Sequence, residues 1–255
     1  MSGVVPHSAT LATQFDEYLK DSLKMLDDAG HQARTSPHGR GIYKISLATY
    51  CVLTAFSKRD LVLLKAAADI VRRFPLLAAS RQRSLARVDL RRFIELVTWY
   101  AYFSEHPIEW MEFQSNPKTG FVRTLETPIS YCAHRERLFY TNYVKERFGF
   151  DSSRLVVNAN ENLNKAYAEL SFDVHAASHA LKSTSFGSVL EIKSDDHDRD
   201  LQKIAKSVMA SGCLVVAAVR PSKIHGLGPV ERGWFDWLIG KEEAKKIRAG
   251  KFCSS

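Results

Sequence analysis

The chain has 255 residues, 45% of them apolar, and a formal net charge of +8. That length fits one large domain or two small ones with a buried core, and the excess of base points toward phosphate or an acidic partner. The four cysteines, Cys51, Cys132, Cys213 and Cys253, form no C-x-x-C pair, which argues against a zinc ribbon and for reduced thiols. The start, MSGVVPHSAT, carries no signal-peptide pattern, and no uninterrupted apolar run approaches the roughly 18 residues of a membrane span. The expectation is a cytoplasmic protein with no membrane contact.

In chain order, residues 1 to 10 read as a tail. Apolar residues at Leu11, Phe15, Leu19, Leu23 and Leu26 keep a helical period up to Ala29-Gly30. The polar stretch HQARTSPHGRG, 31–41, reads as a mobile loop. A second helix is expected from Ile42 to Phe56, and a third after Ser57 with Leu61, Leu64, Ala68 and Val71 on one side. Pro75 lacks the amide donor and clashes with the preceding turn, and should break or restart it. The fourth helix, from Leu76 to Ser104 and closed by His106-Pro107, is the organising element. From Phe93 to Phe103 it is apolar apart from Glu95 and Thr98, so it belongs inside the protein and makes Glu95 a buried carboxylate.

A linker is expected over Phe113–Pro128, then a helix over Ile129–Phe148. Gly149–Asn160 reads as a break, with a short strand at Leu155–Val157. Asn160 is placed to cap a helix over Glu161–Leu181, whose stripe is Leu163, Tyr167, Leu170, Val174, Ala177 and Leu181. The segment SDDHDRDLQKIAKSVMASG starts with acidic groups that suit a helix N-terminus. The short runs 154–158, 188–193 and 213–219 fit helix or strand equally, since periodicity does not decide runs so short. A terminal helix over Glu231–Arg248 carries Trp234, Trp237 and Leu238 on one side. No repeat is evident. The predicted fold is mainly α: a multi-helix bundle around a buried central helix, with room for a small strand component. Its N-terminal half, 1–112, is built on the helix 76–104, and its C-terminal half, 128–255, packs on it as one compact domain.

Three polar constellations could carry chemistry. Arg83, Arg87 and Arg91 are spaced by four, with Glu95 four further on, so they lie on one face of a helix. Such a ladder grips phosphate through bidentate bonds, or it is an ion pair of Arg91 or Arg92 with Glu95 that docks neighbouring helices. The second is a column of Tyr167, Ser171 and His175 followed by Ser178 or His179. His175 and His179 are four apart, a metal-ligand spacing that would need Asp173 or Glu95 as a third ligand, and the glutamate of a zinc-protease motif is absent. The alternative is a core histidine bonded to Tyr167 or Ser171. The third is Arg220 with His225 in RPSKIH, a guanidinium and an imidazole able to stabilise charge and move a proton in RNA cleavage, or a solvated basic turn. Pro221, Gly226 and Gly228 read there as a loop. Phosphate-loop and dinucleotide glycine spacings and a G-x-S-x-G elbow are all missing, which lowers the case for a nucleotide hydrolase or esterase.

R-R-F-I-E-L-x-x-W at Arg91–Trp99, F-S-E-H-P-I-E-W at Phe103–Trp110 and Y-A-E-L-S-F-D-V-H at Tyr167–His175 resemble a pattern in helical bacterial proteins with HEPN-type domains, linked to phage defence or toxin systems. The pattern, an Arg…Glu helix followed far downstream by Leu-Ser-x-x-Val-His, falls on Arg91 or Arg92, Glu95, Leu170, Ser171, Val174 and His175. The resemblance implies a protein that cleaves or binds RNA, often as a homodimer. Cleavage would be metal-independent and without a cofactor, with His175 as general acid or base, Arg91 or Arg92 on phosphate and Glu95 orienting them, beside Tyr167 and Ser171. Arg83, Arg87, Arg220 and His225 would contact nucleic acid. The chain departs from the HEPN Arg-x4-6-His motif: no arginine lies four to six residues before His175, and Arg220 with His225 lacks the polar residue after arginine. Two other readings stand beside this one. The first is a non-catalytic accessory subunit that binds a protein or nucleic-acid partner of a defence system. The second is a metal-dependent nuclease using His175, His179 and Glu95.

Overall fold

The structure, a computed structural model, describes residues 36–57, 62–80, 82–115, 150–180 and 195–249, with isolated positions between 16 and 31. Within 150–180 the side chains described are those of 154–171. The expected tail at 1–10, most of the linker from Phe113 to Pro128, the helix over Ile129–Phe148 and the run 188–193 lie outside the described residues. Asp16, Lys20, Lys24, Asp27 and Asp28 are helical, as expected for positions inside 11–28, and so are Gly30 and His31, where a stop was expected.

Every regular element among the described residues is a helix. They are α1 (Pro37–Phe56), α2 (Val62–Ala79), α3 (Arg83–Glu105), α4 (Pro107–Ser115), α5 (Phe150–Ala180), α6 (Asp195–Val219), α7 (Pro221–His225), α8 (Pro229–Ile239) and α9 (Lys241–Ala249). The mainly α multi-helix bundle is what the sequence predicts. α1 packs on α2 and α6, α2 on α3, and α3 on both α5 and α6, while α8 lies against α1 and α9 against α5. α6 shares the centre with α3: from Ser211 to Val219 every residue is buried, because α1, α3, α5, α7 and α8 all pack on this helix. That enclosure makes the ambiguous run Cys213–Val219 a helix buried on all sides, not a strand.

Several boundaries differ from expectation. α1 starts at Pro37, inside the supposed loop. Ser36 caps it, its side chain accepting from the amides of His38 at 3.2 Å and Gly39 at 3.4 Å, and Pro37 supplies the preset φ of a first helical residue. Pro75 does not break α2, which runs to Ala79. One amide bond is forgone there, and burial of Ile70, Val71 and Phe74 outweighs it. α3 therefore starts at Arg83, not at Leu76, and ends before His106 as expected.

Over 150–160 the expected break and strand are replaced by α5. Val156, Ala159, Leu163 and Leu170 are all buried, so the helical stripe continues back through Leu155–Val157. Asn160, expected as a cap, is buried in mid-helix on that same stripe. The single terminal helix is two helices, α8 and α9, because Gly240 takes φ 111°, in the left-handed region that favours glycine. Arg248 closes this corner with a two-point grip on Asp236.

By length and composition alone, the window Asp198–Val219 of α6 could cross a membrane, yet 67% of it is buried inside the protein. Its apolar residues are interrupted by charged ones, and its burial is that of a core helix.

Candidate functional site

The arginine ladder exists, and each rung carries an acid. Arg83 reaches Asp198 of α6 at 3.2 Å, Arg87 reaches Glu169 of α5 at 3.1 Å, and Arg91 reaches Glu95 at 3.2 Å. The spacing of four that aligns the arginines on α3 thus aligns them with the helices packed there. The Arg91 guanidinium also donates to the Tyr167 hydroxyl at 3.1 Å, and that hydroxyl donates to Glu95 at 3.3 Å. Arg91, Glu95 and Tyr167 form a closed triangle between α3 and α5, with the guanidinium 5.0 Å from the centre of the tyrosine ring.

Burial works against the charge on Arg91, but the bonds to Tyr167 and Glu95 outweigh it and lift its pKa above the ordinary arginine value. The guanidinium is thereby a fixed cation. Glu95 is not buried as expected: its side chain is 33% exposed. It sits at the rim of the α3–α5 contact, where a paired carboxylate keeps part of its hydration. Arg92, the other candidate phosphate ligand, is exposed.

The remaining predicted residues separate. Ser171 spends its hydroxyl on the Tyr167 carbonyl at 2.6 Å, which leaves it out of the triangle. His175 and His179 stand on α5, with side chains beyond those described. Arg220 caps α7 and His225 ends it, so RPSKIH is a short helix with Pro221 at its first position, not the loop expected. Both Arg220 and His225 are exposed. Among the described residues no three His, Cys, Asp or Glu side chains come together as a metal site.

Two features escaped the sequence reading. Asp89 is a buried carboxylate, its side chain 5% exposed, held by Arg73 of α2 through bonds of 2.7 and 2.5 Å. The signal was present: Asp89 interrupts the apolar stripe Ala86, Leu90, Phe93, Ile94 and Val97. The second feature has no local signal, because its parts come from three distant segments. Lys44 of α1 and Lys206 of α6 lie over the ring of Trp237 on α8, at 4.5 and 5.9 Å from its centre. Lys206 also lines an open groove of about 410 Å³, together with Lys203, Ser207, Asn158, Asn162 and Glu243.

Fold and site together define an all-helical bundle, over its described residues, tied by arginine–carboxylate clamps and bearing a lysine–tryptophan cluster. Compared with family models, with curated proteins and with solved structures, the chain shows no match.

Proposed function

We propose that the protein binds RNA, as a HEPN-like helical protein of a bacterial defence or toxin system. It would work in the cytoplasm, as a homodimer or with a partner protein. The observation that carries this reading is how the charge is divided. Arg73, Arg83, Arg87, Arg91 and Arg248 each hold a carboxylate, namely Asp89, Asp198, Glu169, Glu95 and Asp236. These pairs cancel one for one, so the net +8 of the chain lies on other cations. A cation excess of this kind attracts the phosphate backbone.

The Arg91–Glu95–Tyr167 triangle supports binding over cleavage, because each of the three side chains is bonded to the other two and they brace α3 against α5. Replacing Tyr167 with phenylalanine then lowers stability by about 1 kcal/mol and leaves RNA affinity unchanged. The cleaving effector, with His175 moving the proton, is separated from this by one assay. RNA incubated with the protein in chelator stays intact under the binding reading. Cleavage that His175→Ala abolishes in a folded protein overturns that reading in favour of the enzyme, and cleavage only with added metal favours the metal-dependent nuclease.

A further inference from the structure

We infer that the cluster of Trp237, Lys44 and Lys206 is a stacking site for one base of a single-stranded nucleic acid. This rests on the RNA-binding reading and gives it a location. Trp237 is a large aromatic side chain left 36% exposed, on a helix whose Phe235 and Leu238 are buried. Phe235 and Leu238 are the buried anchors of α8, while the Trp237 indole, edge-on to Trp234, keeps part of its surface open to solvent. Two cations from different helices cover it, and neither makes an ion pair among the described residues.

One aromatic ring with two cations within 6 Å of its centre matches the repeating unit of a nucleic acid strand, a base flanked by two phosphates. In the free protein the ammonium groups rest on the indole, where the ring's negative face attracts them. A base takes that face by stacking, and each lysine, on its flexible stem, moves to a flanking phosphate. An acidic peptide would satisfy the lysines and leave the indole without a stacking partner. A duplex would offer phosphates but no free base face. Lys206 joins this site to the groove between α5, α6 and the α8–α9 corner. There Lys203 continues the basic track, although Asp200 lies 3.9 Å from it. Asn158, Asn162 and Glu243 present amide and carboxylate groups suited to base edges rather than to phosphate.

The test uses the full chain and fluorescence anisotropy with a labelled oligouridylate. The same sequence as single-stranded DNA, an RNA duplex and polyglutamate are the comparison ligands. Trp237→Ala should weaken single-strand binding about tenfold or more, and Trp237→Phe should restore most of it. Lys44→Gln and Lys206→Gln should each lower the slope of log affinity against log salt by roughly 0.7. They read the same site should the tryptophan variant fail to fold. Preference between the RNA and DNA strands identifies which is the ligand.

Oligouridylate binding that neither Trp237→Ala nor the lysine variants change overturns the site but not the function. Polyglutamate binding with the same dependence on Trp237 replaces the nucleic acid with an acidic protein partner. Failure of wild type to bind any nucleic acid overturns both proposals.

Discussion

Adding one methyl group at Gly212 should loosen the crossing of α3 and α6. A Cβ there would stand 2.5 Å from Cε1 and 2.8 Å from Cζ of Phe93, well inside the 3.4 Å at which ordinary contact begins. Phe93 is fully buried, and Val97 already meets the same point at 3.6 Å. The ring must shift by most of an ångström within a packed core, at a cost of about 1–3 kcal/mol. Alanine regains about 1 kcal/mol over glycine inside a helix, so Gly212→Ala should be destabilised by up to about 2 kcal/mol.

Gly233 provides the control. It is an exposed position of α8 with nothing within 4 Å of an added Cβ, so Gly233→Ala should be stabilised by up to about 1 kcal/mol. The two substitutions are chemically identical, and the difference between them isolates the overlap with Phe93. Urea unfolding followed by circular dichroism measures both, and melting temperatures should separate by about 2–4 °C for each kcal/mol in a chain of this size. A Gly212→Ala protein as stable as Gly233→Ala would refute the close crossing of α3 and α6.

Two further outcomes test the buried groups. Arg73→Met strands the Asp89 carboxylate. The pair is reached by water through Arg73, which is 50% exposed, so the loss should be about 2–3 kcal/mol, below that of a fully enclosed pair. Most of it should return in the double variant Arg73→Met/Asp89→Leu, and a single variant as stable as wild type would remove Asp89 from the core.

Burial pushes the Cys213 thiol far above its ordinary value of 9.0. The folded state then keeps the proton while the unfolded state loses it, so this contribution is fully present below pH 9.0 and is lost as pH rises beyond it. Cys213→Ala should show a shallower alkaline loss of stability than wild type. In the folded protein a maleimide should reach Cys51, which is half-buried, before Cys213. The Cys51 reaction should also call for more alkaline conditions than an ordinary thiol does, since burial and the Glu231 charge both raise its pKa.

Much of the architecture was legible in one dimension. The stripes of α1, α2, α3 and the second half of α5 follow from apolar spacing, because a helix with one apolar face has a single way to bury it. The ladder Arg83, Arg87, Arg91 and Glu95 was legible for the same reason, since residues four apart share a face whatever surrounds them. Their partners were not. Asp198 and Glu169 stand 115 and 82 residues away, and nothing local to α3 announces them.

The alignment of polar groups on each helix, then, was determined by the sequence alone through the geometry of the helix. Which acid answers each arginine, why Pro75 is absorbed and Gly240 turns the chain, and how Lys44, Lys206 and Trp237 meet were decided only by tertiary packing. Local propensities differ by about a kcal/mol or less for most residues. Enclosure by neighbouring helices outweighs them, as in Cys213–Val219, where the surroundings on every side make a helix of a run whose own pattern fits a strand equally well.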